Sequence, residues 1–221
     1  MDWQSLILSL KLAAATLAVL LPSGLWIGRR LAYSNFAGKA WIEALIVLPL
    51  VLPPTVLGYY LLVSLGGASP VGRWLDDAFG VRLTFNFPGL LLASVVFNVP
   101  FLVQPVQRAF EAIPGQLREA AAVSGLSAWQ TFWRVELPLA WPGVLSAIVL
   151  TFVHTLGEFG VVLMIGGSIP GETKTIAIAI YDRVQAFDLA GADRMALLLL
   201  LLSLGAVAAS FAASARLALR R

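Results

Sequence analysis

Apolar residues run through this chain in five blocks, covering 5–27, 42–65, 88–107, 139–165 and 195–215. Each is close to the roughly 20 residues that a helix needs to cross the hydrocarbon core of a bilayer. Lys11 interrupts the first block, where its ammonium can snorkel to the near interface, and Glu43 opens the second. The third carries no charge, the fourth is broken late by His154 and Glu158, and the fifth is dominated by leucine. Backbone groups left unsatisfied in lipid cost several kcal/mol each, so a single crossing segment must be helical. The pattern predicts an all-α, polytopic membrane chain of about five transmembrane helices, organised as one domain over 1–221. Pro49, Pro53 and Pro54 in the second block, with Pro100 and Pro105 in the third, predict bends packed against protein, as along a transport path. Ordinary prolines in membrane helices are the plainer reading.

The polar gaps set an orientation. Arg29, Arg30 and Lys39 follow the first block, Arg108, Arg118 and Arg134 follow the third, and Arg216, Arg220 and Arg221 follow the fifth. The alternate gaps hold Arg73, Arg82, Lys174, Arg183 and Arg194, offset by Asp2, Asp76, Asp77, Glu172, Asp182, Asp188 and Asp193. The more basic side is cytoplasmic by the positive-inside rule, which places the N-terminus out and the C-terminus in. The first block reads as a mature helix and not a cleaved leader, because its charges follow the apolar run instead of preceding it.

Composition agrees. The chain is 59% hydrophobic and 12% charged, against about 25% charged in an ordinary soluble domain. The net charge of +3 could suggest nucleic acid, but no basic patch interleaved with aromatic residues occurs, and nucleic-acid binding is set aside. Without cysteine there are no disulfides, thiolate metal sites or cysteine nucleophiles.

The segment 108–138 is the most informative. Pro114 suits a first helical turn, 116–124 is alanine-rich, and Gly125 suits the position that stops a helix. Ser127 with Gln130 fits a capping box opening a second helix through about Leu137. Trp129, Phe132 and Trp133 give that helix an apolar face, which calls for a protein surface or the membrane interface.

The residues Glu119, Ala120, Ala121, Gly125, Val135, Leu137 and Pro138 stand at the spacing of the EAA loop of ABC importer permeases, with valine where isoleucine is usual. The chain therefore resembles that family over nearly its whole length. The resemblance implies the type I importer fold and a bacterial cytoplasmic (inner) membrane location. It also implies that 108–138 docks on an ATP-hydrolysing subunit, so that ATP and Mg bind a partner and this chain holds no cofactor and no metal of its own. The implied partners are two ABC ATPase subunits and an external binding protein. A phosphate-binding loop fails on its own terms: Gly166 to Gly171 begins the pattern, but Lys174 comes two residues late. No internal repeat is evident, so a second copy of the chain is the economical way to complete a symmetric path.

His154 and Glu158 are four apart and share a helix face within the fourth block. Ionisable groups in a membrane mark candidate pathway residues, and Asn98 and Thr151 join them as small polar positions. The plainer reading has Glu158 bonded to a neighbouring helix and His154 a neutral donor. An intramembrane enzyme using this pair is a different class of answer, but the second histidine of a zinc hydrolase motif is missing, and a triad from Ser146, His154 and Asp182 has no fixed geometry. No catalytic residue is therefore assigned. The strings Gly157 to Gly160 and Gly167 to Thr175, with Ile180 and Tyr181, resemble molybdate permeases in particular, with sulfate/thiosulfate and tungstate permeases as near relatives. Composition alone does not choose the ion.

Overall fold

The computed structural model describes residues 1–218, with the backbone alone for 215–218. Arg220, Arg221 and the side chain of Arg216, counted above on the basic side, lie outside the described residues and side chains. Every regular element among the described residues is a helix.

Helix α1 (Trp3–Tyr33) starts at Asp2, whose carboxylate accepts from the Ser5 N–H at 3.0 Å, satisfying one of the donors that a helix leaves open at its start. Then α2 (Lys39–Val51) and α3 (Pro54–Leu65) form one broken unit whose axes bend by 107°. The cause is local. Pro53 drives Leu52 into extended backbone, at ψ 140°, and two consecutive prolines remove the N–H groups that would continue the helix. A short amphipathic α4 (Pro70–Phe79) follows, and Asn86 caps α5 (Phe87–Glu111) by accepting from the Gly89 N–H at 2.9 Å. Pro100 and Pro105 leave α5 continuous, so of the predicted bends only that in the second block becomes a break.

Beyond α5 come α6 (Gly115–Val123) and α7 (Ala128–Thr131), which passes through one π-helical turn (Phe132–Glu136) directly into α8 (Leu137–Gly157). The second loop helix thus does not stop near Leu137; Pro138 falls in the first turn of α8, where its missing N–H costs nothing. The fourth block ends as a helix at Gly157 and resumes as α9 (Gly160–Gly166), because Glu158 takes extended backbone, at ψ 126°, and turns its side chain inward. Finally α10 (Ile176–Gln185) leads to α11 (Leu189–Ala218), which lies largely exposed along one side of the bundle.

Contacts along the axes fix the topology. Lys11 lies over Phe87, Thr16 bonds Ser94, and Gly28 faces Val106, so α1 and α5 run parallel. Two parallel helices require the chain to cross back between them, so the broken α2–α3 unit belongs to a crossing. In contrast, Asn98 meets His154 and Gly143 faces Ala109, so α8 is antiparallel to α5. Met195 near the start of α11 packs with Leu6 near the start of α1, while Val207 and Ser210 farther along α11 share a shallow cleft with Ser146 in the first half of α8, so α11 runs parallel to α1 and antiparallel to α8. The five apolar segments therefore alternate, and the two ends of the described chain lie at opposite ends of the bundle.

Among the described residues, the two larger of three apolar clusters form layers across the bundle. Leu12, Leu90, Phe97, Val161 and Ile165 fill the layer nearer the start of α1, and Leu20, Leu102, Val106, Phe110 and Val144 fill the layer nearer its end. Between them, at mid-depth, lie Thr16, Ser94, Asn98, Thr151, Thr155 and Glu158, all buried.

Candidate functional site

Two sites emerge, one at the end of the bundle where α1 and α5 terminate and one at mid-depth. At the first, α6 stops in a way its sequence dictates. The Leu126 N–H donates to the Ala121 carbonyl at 3.1 Å and the Gly125 N–H to that of Ala122 at 3.0 Å. With Gly125 at φ +78°, this is the Schellman arrangement that closes a helix on a left-handed residue. Ser127 then caps α7 by accepting from the Gln130 N–H, and Gln130 returns the bond to the Ser127 N–H at 2.9 Å. Both halves of the capping box are formed.

The turn is presented outward. Glu119, Ala120, Val123 and Gly125 are exposed, and only Ala121 of α6 is buried. Trp129 and Trp133 are exposed too, and with Pro22, Leu25 and Trp26 of α1 they line an apolar cleft of about 460 Å³. Val135 and Leu137 are half-buried at the entry to α8, beside the exposed Pro138. The residues picked out by spacing thus share one end of the bundle, the end that also holds Arg29 and Arg118.

Sequence reasoning missed the residue beneath this turn. Glu136, at the end of the π turn, is wholly buried and accepts from Arg29 Nε at 2.5 Å and from Arg118 Nε at 3.0 Å. Arg118 also lies 3.6 Å from the ring centre of Tyr33, an arrangement in which the cation meets the negative face of the ring. The only hint in the sequence was an acid placed between Val135 and Leu137 in an otherwise apolar approach to a span.

At mid-depth, Asn98 joins the two ionisable residues of the fourth block. Its Oδ1 lies 2.9 Å from His154 Nδ1, and its Nδ2 donates to Glu158 Oε2 at 3.2 Å. Ser94 donates to the same oxygen at 2.9 Å and accepts from Thr16 at 3.1 Å. His154 stacks on Phe101 at 3.7 Å between ring centres. Glu158 Oε1 and Thr151 Oγ1 have no hydrogen-bond partner, so Thr151 sits in this layer without joining the chain of bonds. Ser94 and Thr16 are further members that composition could not separate from ordinary small packing residues. The network links α1, α5 and the end of α8, which is the bonding to neighbouring helices that the plainer reading expected of Glu158.

At the opposite end of the bundle, the loop from Gly167 to Thr175 is folded on itself. The Ile169 carbonyl accepts from the N–H groups of Thr173 and Lys174, both at 3.0 Å, and Lys174 pairs with Asp182 at 2.7 Å. Those amides are turned inward, so the near miss to a phosphate loop has no geometry to support it. Among the described residues no cluster of His, Asp and Glu is placed to hold a metal ion.

Comparison with known proteins bears on all of this. Residues 21–220 match the family described as binding-protein-dependent transport system inner membrane component. A molybdenum transport system permease protein of Azotobacter vinelandii is 47% identical over 88% of this chain and 86% of its own length. The corresponding protein of Escherichia coli (strain K12) is 39% identical over 83% of this chain and 80% of its own. A sulfate transport system permease protein of Escherichia coli is 35% identical over 77% of this chain and 61% of its own. Among solved structures, a bacterial ABC transporter that imports alginate superposes with a TM-score of 0.79, covering 96% of this chain and 78% of its own at 18% identity. That last likeness speaks to the fold.

Proposed function

The chain belongs to the family of inner membrane components of binding-protein-dependent transport systems, and from that premise we propose that it is the membrane-spanning subunit of an ATP-driven molybdate importer. The observation that carries the reading is the ordered, outward-facing turn from Glu119 to Gly125 on a chain otherwise built of apolar helices. Such a turn, with an exposed Glu119 and a buried Ala121, is a surface for another protein, and an ATPase is the partner its motif implies. Molybdate is the ion because relatives at 47% and 39% identity are molybdenum permeases.

In this reading two copies of the chain face each other, each carrying one ATPase, and a binding protein delivers the oxyanion at the far end. The end bearing Arg29, Arg118 and the Gly125 turn is cytoplasmic, which places the N-terminus outside. ATP binding brings the two turns together and opens the path outward; hydrolysis returns it inward. A tetrahedral oxyanion needs hydrogen-bond donors more than a full counter-charge, and tight binding would prevent release. His154, the partly exposed member of this layer, suits such a lightly polar path, with the buried Asn98, Thr151 and Glu158 behind it.

The test is uptake in vesicles holding this chain, its ATPase and its binding protein, with labelled molybdate competed by sulfate and tungstate. ATP-dependent molybdate uptake is expected. Uptake without ATP would make the chain a passive channel, and preference for sulfate would reassign the ion.

A further inference from the structure

Helix α6 is held to the bundle in an unusual way. Of its nine residues only Ala121 is buried, so apolar packing contributes little to fixing it. Its ionic tie to the bundle is Arg118, whose guanidinium is clasped between the Glu136 carboxylate and the face of Tyr33. The same carboxylate takes Arg29 from α1 through two nitrogens, Nε at 2.5 Å and Nη2 at 3.3 Å. Glu136 itself sits where the π turn gives way to α8. One fully buried carboxylate thus joins the outward-facing turn to two membrane-crossing helices, by bonds that depend on direction as well as distance.

Resting on the importer reading above, we propose that Glu136 is a positioning residue that transmits movement of the α6 turn to α1 and α8. A buried ion pair is not in itself a stabilising device, since apolar side chains of similar volume often pack as well. What the two arginines on one carboxylate provide is a single orientation of α6 relative to α1. When a partner pulls on the Glu119 face, Arg118 carries the load to Glu136, and Arg29 carries it to the first span. Without this link α6 could tilt with no directed bond to carry the movement to α1.

The test uses the full complex of two permease copies, ATPase and binding protein in vesicles, with Glu136→Gln and Arg118→Gln made singly and together. Glu136→Gln is expected to assemble with its ATPase and hydrolyse ATP, while the stimulation of hydrolysis by molybdate-loaded binding protein falls about fivefold or more and uptake falls with it. Arg118→Gln should show the loss too, and the double variant should be no worse than Glu136→Gln alone, because that variant already removes the Arg118 link. If Glu136→Gln fails to insert, Arg118→Gln, whose side chain is 39% exposed, decides the matter. Parental stimulation and uptake in Arg118→Gln would overturn the proposal. A parent complex that ignores loaded binding protein would instead overturn the importer reading, whatever Glu136 does.

Discussion

Gly125 offers the sharpest perturbation, because the structure separates two effects that usually come together. An added Cβ at this position would meet nothing within 4 Å, so a substitution suffers no steric clash with the rest of the chain. What remains is the backbone. At φ +78° a residue with a Cβ costs about 1–2 kcal/mol, equivalent to a shift of about 5- to 30-fold between the closed turn and its alternatives. Asparagine tolerates the left-handed region better than alanine does, and aspartate shares that tolerance but adds a charge. Gly125→Ala should therefore weaken ATPase binding by about that 5- to 30-fold factor. Gly125→Asn should stay closer to the parent, and Gly125→Asp should lose binding through its charge and release the ATPase on purification. All three should insert at parental levels, since the crossing helices are held by their own packing. The assay is ATPase co-purification with titrated binding, alongside ATP-dependent uptake. Alanine at parental affinity, or asparagine as damaging as alanine, would refute the backbone argument; Gly125→Asp transporting at the parental rate with its ATPase bound would refute the docking assignment.

A reporter active only outside the cytoplasm should work when fused after Asp77 or Asp188 and stay silent after Lys39 or Arg118; the reverse would invert the orientation. Glu158→Gln keeps an oxygen acceptor for Ser94 and Asn98 but replaces the carboxyl by an amide, so the complex should assemble while uptake kinetics change. Parental kinetics would confine Glu158 to holding helices together. At Asp188 the Gly191 N–H, joined by Arg183, holds the carboxyl below the usual aspartate range. Its folded value being depressed, the stabilisation is complete above the unfolded pKa of about 4 and is lost as pH falls through the lower folded value. Hydrogen-exchange protection in the first turn of α11 should fall in that acid window, and Asp188→Asn should abolish the dependence; protection that stays flat through the window would contradict it.

The crossings were legible because lipid demands long apolar runs, and that demand leaves little freedom in sequence. The break of the second block was legible for a similar reason, since Pro53 and Pro54 admit few alternatives. At Gly125 the stop, the cap and the second helix could all be read locally, because each rests on residues within a few positions. The continuation of that helix into α8 could not, as Leu137 and Pro138 look like a terminus until the π turn is seen to carry the backbone through. Glu136 was illegible for another reason: its partner Arg29 lies 107 positions away, and no local pattern announces such a pair. The mid-depth layer fell between these cases. His154 and Glu158 stood out as ionisable, whereas Thr16 and Ser94 looked like any small residues in a membrane helix.

The break between α2 and α3 has a consequence for how the chain is made. Arms of 13 and 12 residues at 1.5 Å each, bent by 107°, place their ends only ~22 Å apart, short of the ~30 Å hydrocarbon core. The carbonyls of Pro49 and Leu50 have lost the helical donors that Pro53 and Pro54 would have supplied, and such groups are tolerated at bilayer depth only against protein or water. Part of the shelter for this crossing is α9, where Val161 and Met164 close over Gly58. That shelter is synthesised roughly 100 residues later, about 5–20 s at ordinary translation rates. During that interval α1 and α5 can cover the α2 arm, but the α3 arm still lacks the helix it chiefly packs on, so that arm must wait at the insertion machinery, at the interface or against an assisting protein. The kink that shapes the mature bundle therefore also sets the order of its biogenesis, with the α3 arm settling only once α9 has been made.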